Sequence, residues 1–292
     1  MRRLQYRNEM EIRVWSLART GHHAVMNWVA SMVGEPVHLF ETLSLRRVFR
    51  DPYDGDPYRT RFNTSDFVLA QDPSFGAIYV PLPHMRDWPE EDIRPLRLRR
   101  KKCVMYSYLV NHRCYYHFWN IADSVQNRPY TLGDSRYKYD VVILRDVHNW
   151  LASFIASGSR EGGSENPQLG ICLKYVDFWI CTAHEFIGDT QYLPFEGFEK
   201  VCISYNQWFA SRKYRRQVAK QFNLHYSEKG MGRMSPIGRT SFGEDRANAR
   251  GMRVLERGEM LEGGHLRMYR EVLDSRPEAV ELSDRIFGGE GK

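Results

Sequence analysis

The stretch EIRVWSLARTGHHAVMNWVASMVG (residues 11–34) joins a strand pattern to a helix pattern through a short turn. Side chains alternate along Glu11–Leu17, which predicts a β-strand. After Gly21 the apolar residues recur at the spacings i, i+3, i+4, i+7 and i+8, which places them on one helix face: Val25, Trp28, Val29, Met32 and Val33. Gly34 and Pro36 are expected to end that helix.

The same order of strand and helix recurs further along the chain. The β-branched run Tyr139–Leu144 predicts a strand that is buried on both faces, and an amphipathic helix pattern follows it over residues 147–155. We also expect strands over Cys103–Val110 and Val201–Ser204 and a long helix over Leu169–Ile187. This alternation predicts an α/β fold, a three-layer sandwich with a central parallel sheet flanked by helices and right-handed crossovers.

The remaining segments carry weaker patterns. Residues 37–102 are rich in Pro, Asp and Arg and predict loops and short helices laid over the core. Residues 157–167 and 224–250 predict further loops. A basic helical stretch is expected from about residue 205 to 222, and two more helices over Met252–Met260 and His265–Leu273. We expect residues 1–292 to form a single domain.

Composition excludes several classes of protein. Of the 292 residues, 42% are hydrophobic and 27% are charged, and this globular profile excludes wholesale disorder. No run approaches the roughly 18 uncharged apolar residues of a membrane span, and no apolar segment follows the charged first residues, so neither a span nor a secretory signal is expected. The five cysteines form no Cys-x-x-Cys pair, which argues against a disulfide framework and a cysteine-rich zinc site and favours a reducing, cytoplasmic location.

The charge balance favours an anionic ligand. The chain has 42 Lys and Arg against 36 Asp and Glu, a formal net charge of +6. Its densest basic run, residues 94–102, is typical of a solvated loop, although a non-catalytic protein that binds anions or nucleic acid would use it. Since no RNA-recognition strand, zinc finger or basic zipper pattern accompanies the run, nucleic acid is not the expected ligand.

The turn after the first strand has the composition of an anion-binding loop. It consists of Ala18, Arg19, Thr20 and Gly21 and leads into His22, His23 and Ala24. The glycine permits a tight turn, and the first N–H groups of a helix and its positive dipole end favour an anion. An ordinary turn capped by two histidines is the alternative. Because no Gly-Lys-Ser/Thr follows the strand, a magnesium-dependent kinase or ATPase is disfavoured.

A second junction follows the strand that ends at Leu144. Arg145 closes this strand, and Ser153 lies eight residues later, inside the predicted helix. Eight residues are a little over two helical turns, so the two side chains can approach one anion from the same side. The alternative is an Arg145 that pairs with Asp146 and has only a structural role.

Together the two junctions resemble the sulfotransferase family. That family has a 5′-phosphosulfate loop after its first strand, commonly written Pro-Lys/Arg-Ser-Gly-Thr-Thr, and the similar stretch here is residues 18–23. Its 3′-phosphate site is an Arg at a strand end and a Ser eight residues later, which are similar to Arg145 and Ser153. Two further family elements, Tyr-Glu-Asp-Leu and Arg-Lys-Gly, resemble residues 205–208 (YNQW) and 238–243 (GRTSFG).

The resemblance implies a P-loop nucleotide-hydrolase-like fold with 3′-phosphoadenosine 5′-phosphosulfate as the donor, adenosine 3′,5′-bisphosphate as the product, and no metal. The acceptor would be a small molecule or glycan with a hydroxyl or amine. Arg19 and the amides of residues 20–24 would hold the 5′-phosphosulfate, and Arg145 and Ser153 the 3′-phosphate. Residues 37–102 would form an acceptor-side insertion or lid, and residues 225–250 a loop over the donor. The donor site would be completed by Tyr205, Arg239, Thr240 and Ser241.

The chain also departs from the family pattern. His22 and His23 stand where the family has two small hydroxyl residues. The segment that carries a catalytic His in many members is similar to residues 106–109 (YSYL), which have a Tyr in its place. The proton acceptor is therefore open among His22, His23 and His112, with the acid Glu41 in the acceptor-side segment. Two alternative functions stay open: a small-molecule kinase with an unusual phosphate loop, and a non-catalytic nucleotide- or anion-binding protein of the same fold.

Overall fold

A mixed sheet with a parallel central region organises the molecule. The computed structural model describes residues 8–33, 37–43, 66–72, 76–81, 101–110, 135–161, 168–193, 197–231 and 251–288. Within them the strands are β1 (Asn8–Leu17), β2 (Val37–Leu43), β3 (Asp66–Asp72), β4 (Gly76–Pro81), β5 (Lys101–Val110), β6 (Ser135–Leu144) and β7 (Glu199–Ser204). Their order is β4-β3-β2-β5-β1-β6-β7. From β2 to β7 in this order the neighbours are parallel, whereas β3 is antiparallel to β2 and β4.

Helices cover both faces of this sheet. They are α1 (His22–Val33), α2 (Val147–Glu161), α3 (Leu169–Ile187), α4 (Tyr205–Ala210), α5 (Arg212–Gln221), α6 (Gly263–Asp274) and α7 (Pro277–Phe287). Ile12 and Val14 of β1 pack in one buried cluster with α1, α4 and α5. Leu17 and Leu144 point to the opposite face, because side chains alternate along a strand, and pack with α2, α3, α6 and α7. The predicted three-layer α/β fold is confirmed.

The central strand β1 is buried on both faces because it lies between β5 and β6. All residues from Met10 to Leu17 are buried, including the charged Arg13. The Arg13 guanidinium donates from Nε and Nη2 to the Asp140 carboxylate of β6 at 2.7 and 2.6 Å, and Trp15 Nε1 donates to the same carboxylate at 2.8 Å. The charged side chain of Arg13 is therefore paired with the buried Asp140 carboxylate and not with water.

The carboxyl ends of β5, β1, β6 and β7 meet at one edge of the sheet. The register pairs Leu17 with Val110, Ser16 with Ile143, and Leu144 with Ser204. The turn after β1, the junction after β6 and the start of α4 therefore leave adjacent strands at the same edge. In open α/β sheets this edge is where ligands bind.

Several predicted elements are confirmed, with longer strands than expected. The long helix α3 has the predicted bounds, Leu169–Ile187, and β1, β5, β6 and β7 each begin a few residues before the predicted start. The basic stretch after β7 forms two short helices, α4 and α5. Of the helices in the described part of the chain, none has both the length and the apolar content to cross a bilayer.

Other predictions for the weakly patterned segments are wrong. Residues 37–102 contain β2, β3 and β4, which are six or seven residues long and too short to stand out among prolines and charges. Residues 157–161 extend α2, and residues 252–260 form only turns and the 3-10 helix Gly258–Met260. The helix α7 was not predicted, although Pro277 at its first position and Gly288 after its last are typical start and stop signals.

Candidate anion-binding site

The turn after β1 has an unusual backbone that its own hydrogen bonds hold. Arg19 and Gly21 both have φ in the left-handed region, at 71° and 84°. Thr20 donates from its hydroxyl and its amide to the Leu17 carbonyl, at 2.9 and 3.3 Å. These hydrogen bonds fix the turn to the end of β1, and they hold its backbone conformation without a ligand.

The amides at the start of α1 divide into two groups. Ala24 and Val25 both donate to the Gly21 carbonyl, at 3.0 and 3.4 Å, and the Thr20 amide is used within the turn. The amides of Gly21, His22 and His23 lie between those of Thr20 and Ala24 in the sequence and precede the first intrahelical hydrogen bonds. The first amides of a helix have no carbonyl partner inside it and suit an anion. Of the expected set, residues 20–24, the amides of Thr20 and Ala24 are thus used within the chain.

The second junction brings Arg145 and Ser153 into direct contact. Arg145 Nη1 donates to Ser153 Oγ at 3.1 Å and to the Arg19 carbonyl at 3.3 Å, while Nη2 donates to the Val254 carbonyl. Arg145 is only 4% exposed. The two side chains are therefore in contact, and Arg145 links them to the backbone of the first turn.

Tyr205, the first residue of α4, lies between the two junctions. A Cβ at Gly21 would lie 2.2 Å from Tyr205 Cε2, so the ring packs directly against the glycine. The Arg145 Cζ atom lies 5.4 Å from the centre of the same ring, a cation–π distance. One aromatic ring, at the start of the helix that follows β7, thus lies against Gly21 and within cation–π distance of Arg145.

Two buried tryptophans hold the backbones of the junctions. Trp150 Nε1 donates to the Ala18 carbonyl at 2.8 Å, and Trp179 Nε1 donates to the Arg145 carbonyl at 2.9 Å. Both indoles are fully buried, and the hydrogen bond from Trp179 lies in the interior. The helices α2 and α3 therefore position the loops as well as cover the sheet.

Asp146 belongs to a polar network at the start of α2. Its carboxylate accepts from the amide and the side chain of Asn149 at 2.9 and 3.0 Å, and from Asn206 Nδ2 at 2.9 Å. Asn149 Oδ1 in turn accepts from the Arg257 amide at 2.6 Å. This carboxylate acts as a helix N-cap and joins α2, α4 and the segment around residue 257.

His22 and His23 begin α1 beside the turn. Their ring centres are 4.0 Å apart, and His22 is only 3% exposed. Burial, the neighbouring His23 and the Arg19 guanidinium hold the pKa of His22 well below its ordinary value of 6.5. Burial and Arg19 lower the pKa of His23 to about 4. Both imidazoles are therefore neutral at pH 7.

Four predicted site residues lie outside the described residues: His112, Arg239, Thr240 and Ser241. His112 comes two residues after Val110, the last residue of β5, whose end is at the same edge as the turn. The side chain of Glu41, in β2, is likewise not described. The other predicted site residues come together at this edge: Arg19, Thr20, Gly21, His22, His23, Ala24, Arg145, Ser153 and Tyr205.

Sequence reasoning missed two parts of the site. The Val254 carbonyl receives a hydrogen bond from Arg145, so the segment after residue 250 lies over the second junction. A backbone carbonyl has no residue type, and no sequence signal marks it. Asn149 was also missed, although an asparagine shortly after a strand end is a common helix-cap and turn residue.

The groups at this edge that can donate hydrogen bonds to an anion come from both junctions. Arg19 and Arg145 supply cationic forks, Ser153 a hydroxyl, and α1 its first amides. Both ring nitrogens of the buried His22 have no hydrogen-bond partner among the described residues, so this side chain has capacity for a ligand. Within the same residues no group of three or more His, Cys, Asp or Glu is placed to hold a metal ion.

Comparisons with known proteins give likenesses of fold. No protein-family model matches the chain, and no curated protein sequence matches it. Mouse sulfotransferase SULT7A1 complexed with PAP is similar at a TM-score of 0.46 and 8% identity, over 94% of this chain and 87% of that one. The sulfotransferase domain of the Synechococcus PCC 7002 olefin synthase is similar at a TM-score of 0.43 and 11% identity, over 97% and 96%.

A sugar kinase from Janibacter sp. HTCC2649 also has a similar structure, at a TM-score of 0.32 and 9% identity, over 74% of this chain and 95% of that one. Similarities at sequence identities this low are similarities of fold alone. The functional conclusion therefore depends on the residues of the site: the turn at 18–21, the start of α1, Arg145, Ser153 and Tyr205.

Proposed function

We propose that the protein is a sulfotransferase that moves a sulfonyl group from 3′-phosphoadenosine 5′-phosphosulfate to a hydroxyl or amine of a small-molecule or glycan acceptor. The observation that supports this most is the position of the Arg145 guanidinium. Its Nη1 atom lies 3.1 Å from Ser153 Oγ and 3.3 Å from the carbonyl of Arg19 in the glycine turn. The two candidate anion-binding elements are thus contiguous at the edge of the sheet where its parallel strands end.

In this proposal Arg145 and Ser153 bind the 3′-phosphate. A guanidinium and a hydroxyl 3.1 Å apart donate to neighbouring oxygens of one phosphate, and hydrogen bonds between ionised groups are stronger than neutral ones. The 3′-phosphate distinguishes this donor from ATP. Arg145 is buried, and it therefore acts in a medium where charge interacts more strongly than in water.

The turn and the start of α1 bind the 5′ end of the donor. Arg19 and the amides of Gly21, His22 and His23 direct positive charge to one place. When bound, the donor supplies the sulfonyl group and its 5′-phosphate is the leaving group. Arg19 and the amides stabilise the negative charge that develops there, while an imidazole at the same edge accepts the acceptor's proton.

Isothermal titration with adenosine 3′,5′-bisphosphate tests the proposal. We expect Arg145→Ala to weaken binding at least tenfold, since a hydrogen bond to a charged group contributes about 1.5–3 kcal/mol. Adenosine 5′-monophosphate, which lacks the 3′-phosphate, should bind the wild type more weakly and respond little to the variant. Arg276→Ala is the matched control, because Arg276 is a surface arginine paired with Asp177.

Two results would contradict the proposal. Equal affinity of the wild type for the two nucleotides would remove the 3′-phosphate site, and so would unchanged binding in the Arg145 variant. Tighter binding of ATP that depends on magnesium would support a small-molecule kinase. Affinity that falls steeply with salt and does not depend on Arg19 would support a non-catalytic anion-binding protein.

A further inference from the structure

The buried imidazole of His22 has polar atoms without partners. Nδ1 and Nε2 are both shielded from solvent, and neither has a hydrogen-bond partner among the described residues. A neutral imidazole always has one N–H donor and one lone pair. A buried donor or acceptor that stays unpaired destabilises the fold. A ligand that forms a hydrogen bond with this ring removes that cost and therefore binds more strongly.

The position of the ring points to an anion as that ligand. His22 is the first residue of α1, a helix of 12 residues, so it lies at the positive end of the helix dipole. His23 packs beside it with ring centres 4.0 Å apart. Both rings follow Gly21 directly, in the turn whose amides precede the first helical hydrogen bonds.

The charged groups that act on the two imidazoles are cationic, and the nearby Asp146 carboxylate accepts hydrogen bonds from Asn149 and Asn206 instead. Arg19 acts on both imidazoles and lowers the pKa of each, after burial. Arg145 donates to the Arg19 carbonyl from the β6 junction, and the phenol of Tyr205 packs against Gly21 from α4. An anion in this turn adds the opposite charge, and an opposite charge within a few ångströms favours a protonated imidazole.

We propose that His22 and His23 contact the 5′ anionic group of the bound nucleotide directly, and that the pair takes up a proton from solvent when the anion binds. This inference rests on the proposed function, because it assumes a nucleotide at this edge. The imidazolium N–H then donates to the anion and adds to the charge of Arg19, while the other imidazole of the pair stays neutral and keeps a lone pair that can accept a proton. The pair thereby replaces the hydroxyl side chains that the related loop pattern has at these positions.

Proton uptake by the histidines gives binding a defined pH dependence. A group whose pKa is higher in the complex than in the free protein makes binding stronger as the pH falls through the pKa of the complex. Between the two pKa values the affinity gains up to tenfold per pH unit for each proton taken up. Above the pKa of the complex, the histidines contribute no pH dependence.

Titration calorimetry with adenosine 3′,5′-bisphosphate measures this uptake. Binding is recorded from pH 5.5 to 8.0 in two buffers of different ionisation enthalpy, for the wild type, His22→Asn and His23→Asn. The phosphates of the free ligand also titrate, and their contribution is the same in every titration. We expect the wild type to take up more protons near pH 6 than either variant, by up to one proton. His225→Asn, at an exposed position, is the control and should match the wild type.

The outcomes separate the two proposals. Wild-type protein that binds no bisphosphate at any pH contradicts the proposed function. Binding with equal proton uptake in the wild type and both variants overturns only the role of the histidines. If a variant fails to fold, wild-type protein labelled with ¹⁵N-histidine decides. At pH 6 two ring-nitrogen signals should move from neutral to protonated shifts on adding bisphosphate, and unmoved signals would overturn the inference.

Discussion

At the scale of single residues, Gly21 carries the tightest steric constraint of the site. Its φ of 84° is one that side chains with a Cβ rarely adopt, and a Cβ there would lie 2.2 Å from Tyr205 Cε2. Gly188, the residue that ends α3, has an almost identical φ of 85° but nothing within 4 Å of its Cβ position. Substitutions at these two positions therefore distinguish the effect of backbone strain, which both share, from that of the contact with Tyr205, which only Gly21 makes.

We expect Gly21→Ala to lower the free energy of unfolding more than Gly188→Ala. Left-handed backbone strain should contribute roughly 1–2 kcal/mol in both, and the overlap with Tyr205 a further ~1–3 kcal/mol at position 21 only. Gly21→Ala should also weaken adenosine 3′,5′-bisphosphate binding at least tenfold, because the turn must shift. Urea denaturation and calorimetry measure the two effects. Equal losses in both variants would show that the ring contact has no role.

At the scale of elements, His184 joins the end of α3 to the start of α7. Its Nδ1 lies 3.0 Å from Asp189 Oδ2 and its Nε2 lies 3.1 Å from Glu278 Oε1. Two donors are available only from a protonated imidazole. Partial burial lowers the pKa of His184, but the hydrogen bonds to Glu278 and Asp189 raise it by more, so the pKa lies above its ordinary value of 6.5.

This raised pKa predicts a stability that depends on pH. The stabilisation from protonated His184 is fully present below the pKa of His184 in the unfolded chain, about 6.5. It is lost as the pH rises through the pKa of His184 in the folded protein. We expect His184→Gln to reduce the free energy of unfolding by about 0.2–1 kcal/mol near pH 6, because the pair is partly exposed, and by less near pH 8.5. Denaturation at both pH values checks this, with exposed His225→Gln as the control. A loss that grows with pH would contradict it.

At the scale of the whole molecule, the sheet contains a buried ion pair between its central strands. Arg13 of β1 and Asp140 of β6 are 3% and 0% exposed, and the Arg13 guanidinium also lies 3.4 Å from the centre of the Phe198 ring. The backbones of these two residues are paired in register. The pair thus contributes to the alignment of the two strands whose ends carry the turn at Gly21 and Arg145.

Asp140→Asn should destabilise the whole molecule. It leaves the buried Arg13 charge without its carboxylate, a loss of about 3–5 kcal/mol against a typical domain stability of about 5–15 kcal/mol. Asp177→Asn, in the exposed pair with Arg276, should lower the free energy of unfolding by at most about 1 kcal/mol. Urea denaturation of both variants measures the difference. Similar losses at the two sites would mean that burial of the Arg13 pair adds nothing.

Local geometry made part of the site predictable. The contact between Arg145 and Ser153 follows from a strand end that leads into two turns of helix, and amides without a carbonyl partner inside the helix follow from any helix N-terminus. The pairing of Arg13 with Asp140 was not predictable, because it joins residues 127 positions apart. The same holds for Val254, whose carbonyl contacts Arg145 across 109 positions and has no side-chain signature.

The sequence by itself determined the strand-then-helix units, the α/β class and the residue types of both junctions, because periodicity, turn composition and helix spacing act over a few neighbouring residues. Only the tertiary structure decided that β1 lies between β5 and β6, that three further strands extend the sheet, and that Tyr205 lies between Gly21 and Arg145. Strand order and side-chain packing depend on contacts between distant segments, and many such arrangements satisfy the same local pattern.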